Sequence, residues 1–240
     1  MPIVVENGVD IGPGITIGGG GVSPPPTLVL SLDAAGYTSG PWVDSVSSRS
    51  FTLYGSPTYS PSIGGGSFDF DPSSSQYAEC TSSLSSLTTW TAIAWHFYTG
   101  ANTGTAPCIL TEVYPSGTMQ INYSLGSIFG ASSTDLTSGF FNGAWRSTPS
   151  GYSLPTSGWY QIVGTYDGTA NKLYVNNTLV QSANYSGTPA ASTAGIRLMR
   201  RWDDPDYWAG RLAIVQIYDG AMNATEVTSN WNTNKARFGL

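Results

Sequence analysis

From Trp90 to Tyr98, Ile93, Trp95 and Phe97 fall on one face of an extended chain, and Ala92, Ala94, His96 and Tyr98 fall on the other. Side chains alternate across a strand, so a segment without a clearly polar face predicts a strand held between two layers. Further strands are predicted at 159–166, 173–175, 178–182 and 211–218, each bounded by Gly, Pro, Ser or Asn. Asn176-Asn177, set between "KLYV" and "TLVQ", predicts a two-residue hairpin turn because Asn accepts positive φ. The period changes only near the end. Asn223 and Glu226 form an N-x-x-E variant of the capping box, and Val227 and Trp231 recur at helical spacing, so one short helix is expected there.

Residues 1–26 follow another rule. Ile3-Val4-Val5-Glu6-Asn7-Gly8, Val9-Asp10-Ile11-Gly12-Pro13-Gly14 and Ile15-Thr16-Ile17-Gly18-Gly19-Gly20 repeat a six-residue unit with β-branched residues first and third and glycine sixth. A spacing of two puts both apolar side chains on one side of a mini-strand, and the glycine supplies the bend. The stripe Ile3, Val5, Val9, Ile11, Ile15 and Ile17 cannot be buried within so thin a ribbon. Burying six such side chains against a partner would contribute on the order of 10 kcal/mol before the cost of ordering the chain. The arm is therefore expected to be an attachment segment, bound to a partner's sheet edge or to other copies of itself. "GGGGVSPPP" then reads as a hinge and a stiff spacer, which divides the chain into an arm and linker at 1–26 and one sandwich domain at 27–240.

Composition narrows the class. Only 10% of the 240 residues are charged, against 29 glycines and 15 prolines, a balance that suits many short strands and turns. A net charge of -6, with nine Lys and Arg, leaves no extended basic track and argues against nucleic acid as a partner. No stretch approaches the roughly 20 apolar residues of a membrane span, so membrane insertion is not expected. The N-terminus lacks the pattern of an export signal. Cys80 and Cys108 each sit in strand-like sequence without a companion His or Cys at ligand spacing, and they read either as two buried thiols or as a cross-strand disulfide.

"LVLSLDAAGY", "GSFDFDPSSSQYAEC", "TTWTAIAWHFY", "GWYQIVGTYDGTANKLYVNNTLV" and "DYWAGRLAIVQIYDG" together resemble laminin-G-like, concanavalin A-like jelly-roll domains over about residues 27–240. The resemblance implies an all-β sandwich with a short C-terminal helix. That fold hosts lectins, adhesion modules, hydrolases and structural domains alike. Joined to the Val-Asp-Ile-Gly and Ile-Thr-Ile-Gly arm, it is similar to virion structural proteins of tailed bacteriophages. The implied role is a non-enzymatic decoration protein at the virion surface, made in the host cytoplasm. Its arm would grip other virion proteins of capsid or tail, or further copies of itself, and its sandwich would meet host glycans. A glycan-binding adhesin of tail-fibre type is the alternative, and a glycoside hydrolase the third.

Hydrolysis needs two carboxylates about 5 to 5.5 Å apart for retention, or somewhat farther apart for inversion. Glu6, Glu79, Glu112 and Glu226 lie in separate segments without acidic neighbours at alternate spacing. The single histidine, His96, lies inside a predicted strand and reads as a core residue rather than a triad base. The most site-like run is Trp202-Asp203-Asp204-Pro205-Asp206-Tyr207-Trp208. No cofactor is expected: the run reads as a solvated turn with Arg200 and Arg201 as counter-charges, and Asp203, Asp204 and Asp206 as calcium ligands are the alternative. Trp202, Tyr207 and Trp208, with Trp42, Trp145 and Tyr152 from loop-like contexts, are the candidate aromatic platform for a sugar.

Overall fold

The structure, a computed structural model, describes residues 24–84, 87–112, 124–126, 134–191, 194–201 and 205–240. Its strands, in chain order, are β1 (Thr27–Asp33), β2 (Trp42–Val43), β3 (Ser50–Tyr54), β4 (Thr58–Ser60), β5 (Ser67–Phe70), β6 (Tyr77–Cys80), β7 (Trp90–Tyr98) and β8 (Cys108–Glu112), followed by β9 (Ser124–Gly126), β10 (Thr137–Phe141), β11 (Trp145–Ser147), β12 (Gly158–Tyr166), β13 (Ala170–Val175), β14 (Thr178–Asn184), β15 (Ile196–Leu198) and β16 (Gly210–Asp219). One helix, α1 (Ala224–Asn234), follows. The repeat-bearing arm lies outside the described residues.

Two eight-stranded sheets face each other. The first runs β14-β13-β12-β7-β16-β5-β4, with β1 also paired to β16, and the second runs β11-β10-β9-β8-β15-β6-β3-β2. Every strand pair within them is antiparallel. Leu30, Phe68, Ala92, Ala94, Ile162 and Val215 from the first sheet meet Phe51, Leu110, Leu125, Phe140 and Leu198 from the second in one buried core. The sheets approach closely at Gly164, where a Cβ would lie 2.3 Å from Ser138 Oγ and 2.6 Å from Leu125 Cδ2. Only a glycine fits there.

β7 is central to the first sheet, between β12 and β16, which accounts for its two apolar faces. Ala92, Ala94 and Tyr98 enter the main core, while Ile93 and Trp95 belong to a second buried cluster with Val163, Ala213, Val227 and Phe238 on the sheet's outer side. Helix α1 and the 3-10 turn Lys235–Phe238 roof that side: Trp95 stacks on Phe238 at 4.4 Å and on Trp231 at 5.4 Å. The helix starts where the sequence placed it. Asn223 Oδ1 accepts from the Thr225 and Glu226 amides, and Glu226 Oε2 accepts from the Asn223 amide at 2.8 Å, a cap worth about 1 kcal/mol. Asn176 and Asn177 turn β13 into β14 at φ 47° and 64°. Among the described residues no helix is long and apolar enough to cross a membrane.

Cys80 and Cys108 are free and buried. They stand on β6 and β8, and β15 pairs with both strands, so a whole strand separates them. A bridge between adjacent strands is ruled out by that order.

Candidate functional site

With the first sheet roofed by α1, the outer face of the second sheet is the surface on which β3, β6 and β15 can display side chains. Along these strands Phe51, Ala78, Cys80, Ile196 and Leu198 point into the core. Alternation sends Thr52, Tyr54, Tyr77, Glu79 and Arg197 outward. Thr52 stands opposite Glu79, Glu79 opposite Arg197, and Tyr54 opposite Tyr77. The two tyrosine rings are stacked 4.5 Å apart and within 6° of parallel, and Tyr54 is 41% exposed. Arg197 donates through Nε and Nη2 to Glu79 Oε2, at 3.1 and 2.8 Å, and through Nη1 to the Arg201 carbonyl.

Arg200 completes this surface. Its guanidinium carbon lies 4.7 Å from the Tyr77 ring centroid and 5.5 Å from that of Tyr207, and those centroids are 6.4 Å apart, so it packs against the edge of an aromatic pair. The preceding residue explains how it comes to project there. Met199 is buried yet adopts φ +64°, a left-handed conformation costing a non-glycine residue roughly 1–2 kcal/mol. Leu198 and Met199 therefore both enter the core, the alternation slips by one, and Arg200 is carried outward. Partial burial pushes the Tyr77 hydroxyl above its ordinary pKa, against the opposing field of Arg200.

Asp206 holds the frame beneath. Its Oδ2 accepts from the Thr105 amide at 3.1 Å, the Ala106 amide at 2.9 Å and Arg201 Nη1 at 3.3 Å. Tyr207 exchanges further bonds with the same loop: its amide donates to Thr103 Oγ1, and its carbonyl accepts from the Thr103 amide. Gly104, at φ +76°, lets the loop close, because a Cβ there would lie 1.6 Å from Asp206 Oδ1.

These placements correct several expectations. Asp206 is 8% exposed, with Oδ2 turned inward onto two amides and Arg201, so it anchors the loop rather than standing free in a solvated turn. Asp203, Asp204 and Trp202 lie outside the described residues. Among the described residues no group of three His, Cys, Asp or Glu could hold a metal ion. Trp42 and Trp208, at 1% and 0% exposure, have no free ring face for a sugar. Trp42 packs on Phe68, and its edge helps to wall a cleft of about 530 Å3 with Tyr37, whose ring is itself engaged by Tyr59 and Phe68. Trp145 and Tyr152 are half-buried. Trp145 sits on β11, six strand steps from β3, or roughly 29 Å. Among the described residues the expected platform therefore does not assemble, and of its members only Tyr207 joins the cluster, beside Arg200. Tyr54, Tyr77, Arg197 and Arg200 had no signal in the sequence beyond alternation.

The acid-base candidates are equally separated. Glu112 stands opposite Ile196 on the core face, at 1% exposure, whereas Glu79 stands opposite Arg197 on the outer face. The sheet itself lies between the two carboxyl groups. His96 is fully buried: Nδ1 lies 2.9 Å from the Arg211 carbonyl, and Nε2 lies 3.0 Å from Trp208 Nε1. Indole N–H only donates, so Nε2 accepts and Nδ1 carries the proton. Burial pushes the imidazole pKa down to about 3, leaving it neutral.

The family model for the concanavalin A-like lectin/glucanases superfamily matches residues 72–228, well over half of the chain. This chain belongs to that superfamily. No curated protein matches the sequence. Among solved structures, this superfamily member is similar to domain 4 of AbnA, a GH43 extracellular arabinanase from Geobacillus stearothermophilus, in complex with arabinotriose, at 17% identity and a TM-score of 0.67 over 86% of this chain and 98% of that one. The binding domain of Paraclostridial Mosquitocidal Protein 1 is similar at 14% identity and TM-score 0.67, over 86% of this chain and 52% of that one. Trypanosoma rangeli sialidase in complex with sialic acid is similar at 13% and 0.62, over 88% of this chain and 33% of that one. The chain thus spans about half of the toxin domain and a third of the sialidase, and at such identities the likeness is one of fold.

Proposed function

We propose that this chain is a non-enzymatic, lectin-like display module, a virion decoration protein of tailed-bacteriophage type, whose N-terminal arm attaches it to the particle and whose second sheet presents a glycan-binding face. The observation that carries the binding reading is the stacked Tyr54–Tyr77 pair beside Arg197, Glu79 and Arg200. The exposed ring of Tyr54, backed by Tyr77, offers a flat apolar wall to the C–H face of a pyranose, and the adjacent ion pair and guanidinium offer directional polar groups. The arabinotriose-bound domain, matched over 98% of its length, supports sugar as the ligand class. Two features favour a module without turnover. Glu79 and Glu112 are on opposite faces of their sheet, and His96 is closed off between Trp208 and the Arg211 carbonyl. The six-residue repeat supports attachment through the arm.

Binding of the purified chain to a printed glycan panel tests the first half. Tyr54→Ala should weaken the best-bound glycan roughly three- to tenfold without lowering the melting temperature. No binding to any glycan, or binding indifferent to this substitution, would sink the reading. For the arm, removal of residues 1–20 should leave melting unchanged but abolish incorporation into particles; normal incorporation of the truncated chain would refute attachment.

A further inference from the structure

We infer that the second-sheet face selects glycans bearing a carboxylate, with Arg200 as the residue that reads the acid; this rests on the glycan-binding reading above. Three observations carry it. First, Arg200 has no carboxylate in ion-pair range among the described residues, whereas Arg197, Arg201, Arg211 and Arg237 are all ion-paired. In a chain of net charge -6, that leaves a cation at this surface without a counter-charge among the described residues. Second, Arg200 Nε is buried and has no hydrogen-bond partner. Burying an N–H donor without an acceptor is costly, so the side chain would gain by turning that N–H outward to an incoming carboxylate. Third, the guanidinium packs against the Tyr77 and Tyr207 rings, 4.7 and 5.5 Å from their centroids. A planar fork resting on aromatic rings can still offer N–H groups edge-on, the geometry that matches a carboxylate.

The supports of this side chain are rigid. Met199 holds its left-handed turn between two backbone bonds, its amide to the Ile109 carbonyl at 2.9 Å and its carbonyl from the Trp208 amide at 3.0 Å. Tyr207 is fixed by the Thr103 loop. The neighbouring Arg197 is already engaged by Glu79 and the Arg201 carbonyl, so it supplies field rather than a second fork. Tyr54 and Tyr77 would carry the sugar ring and Arg200 its acid group.

Two acid-neutral pairs separate the sources of such a carboxylate: sialyllactose against lactose, and oligogalacturonate against its methyl ester. Binding of the full chain should favour the acidic member about tenfold or more in at least one pair, and the pair that shows the preference identifies the sugar class. Arg200→Gln should abolish the preference, and Arg200→Lys should retain only part of it, because an ammonium lacks the fork. Tyr54→Ala should weaken acidic and neutral members alike. Should Arg200→Gln fold poorly by its melting curve, the loss of preference is read from Arg200→Lys and from its decline with added salt. Equal binding of acidic and neutral members, or a preference that survives Arg200→Gln, overturns the assignment while leaving glycan binding intact. Failure to bind any member of either pair, when neutral glycans on the panel bind through Tyr54, also overturns it; failure to bind any glycan removes the underlying reading.

Discussion

Lowering the pH from 7 to 5 should destabilise the folded domain by about 2 kcal/mol through His96 alone. The imidazole is neutral and fully buried, with Nε2 accepting the Trp208 indole proton, so protonation would set two donors against each other. Its pKa falls from 6.5 to about 3 on folding. A depressed folded-state pKa means that the unfolded chain binds the proton first. The stabilisation is therefore complete above pH 6.5 and is lost as pH falls toward 3, at about 1.4 kcal/mol per unit. Integration from pH 7 to 5 gives the 2 kcal/mol. Asp44 and Asp167, whose carboxyl pKa values lie below 3.8, act at lower pH and do not confuse this window. The chain contains a single histidine, so urea unfolding at pH 5, 6 and 7, followed by tryptophan fluorescence, reads one group. His96→Gln should flatten the dependence. If that variant does not fold, the His96 ring proton in the parent should show no titration by NMR down to pH 5. A stability unchanged between pH 7 and 5, or an imidazole titrating near 6.5, would refute the argument.

Gly104→Ala should cost about 3 kcal/mol or more in urea unfolding, since it combines an unfavourable φ of +76° with a Cβ set against Asp206 Oδ1; a loss below 0.5 kcal/mol would mean that the loop closes differently. Because Asp206 is already satisfied by two amides and Arg201, millimolar calcium or chelator should leave the melting temperature unchanged, and a calcium-dependent rise would restore the acidic run as a metal site. No reducing sugar should be released from β-glucans or other polysaccharides; release that disappears in Glu112→Gln would overturn the non-enzymatic reading.

Elements set by local periodicity were open to the sequence. β7, the Asn176-Asn177 turn and the Asn223 cap each depend on residues within one strand, one turn or one helical turn, where alternation, positive φ and capping chemistry are local rules. The site depends on register instead. Tyr54 meets Tyr77 only because β3 lies antiparallel to β6, and Arg200 reaches them only because Met199 reverses its backbone. No pattern in "RLMRR" announces a left-handed methionine. The misplacement of Trp208 has a similar cause. Flanking acidic residues suggest a solvated turn, but Cys108 bridges Tyr207 in parallel, drawing the next side chain into the core onto His96. β15 has only three residues, which is why its insertion between the two cysteine-bearing strands escaped notice.

Aromatic content alone does not point to the proposed glycan-binding face, because the richer aromatic surface is on the first sheet. On the outer side of the first sheet Trp95 stacks on Trp231 and Phe238, and Trp159 lies tilted against Phe238. Left bare, this group would look like a stronger sugar platform than Tyr54 and Tyr77. Its rings are occupied by the chain's own C-terminal segment, which Arg237 fastens through a 2.8 Å ion pair to Asp33 and a hydrogen bond to the Gly64 carbonyl. Gly64 itself cannot carry a side chain without striking Trp159 at 2.5 Å. Closure of that face is thus built into packing on both sides of the roof. The decisive quantity for a ligand is not how many rings a surface contains but whether a ring stays exposed beside a cation that lacks a carboxylate. Tyr54, 41% exposed, and Arg200, with no carboxylate partner among the described residues, meet that measure, whereas the first sheet's aromatics belong to stability.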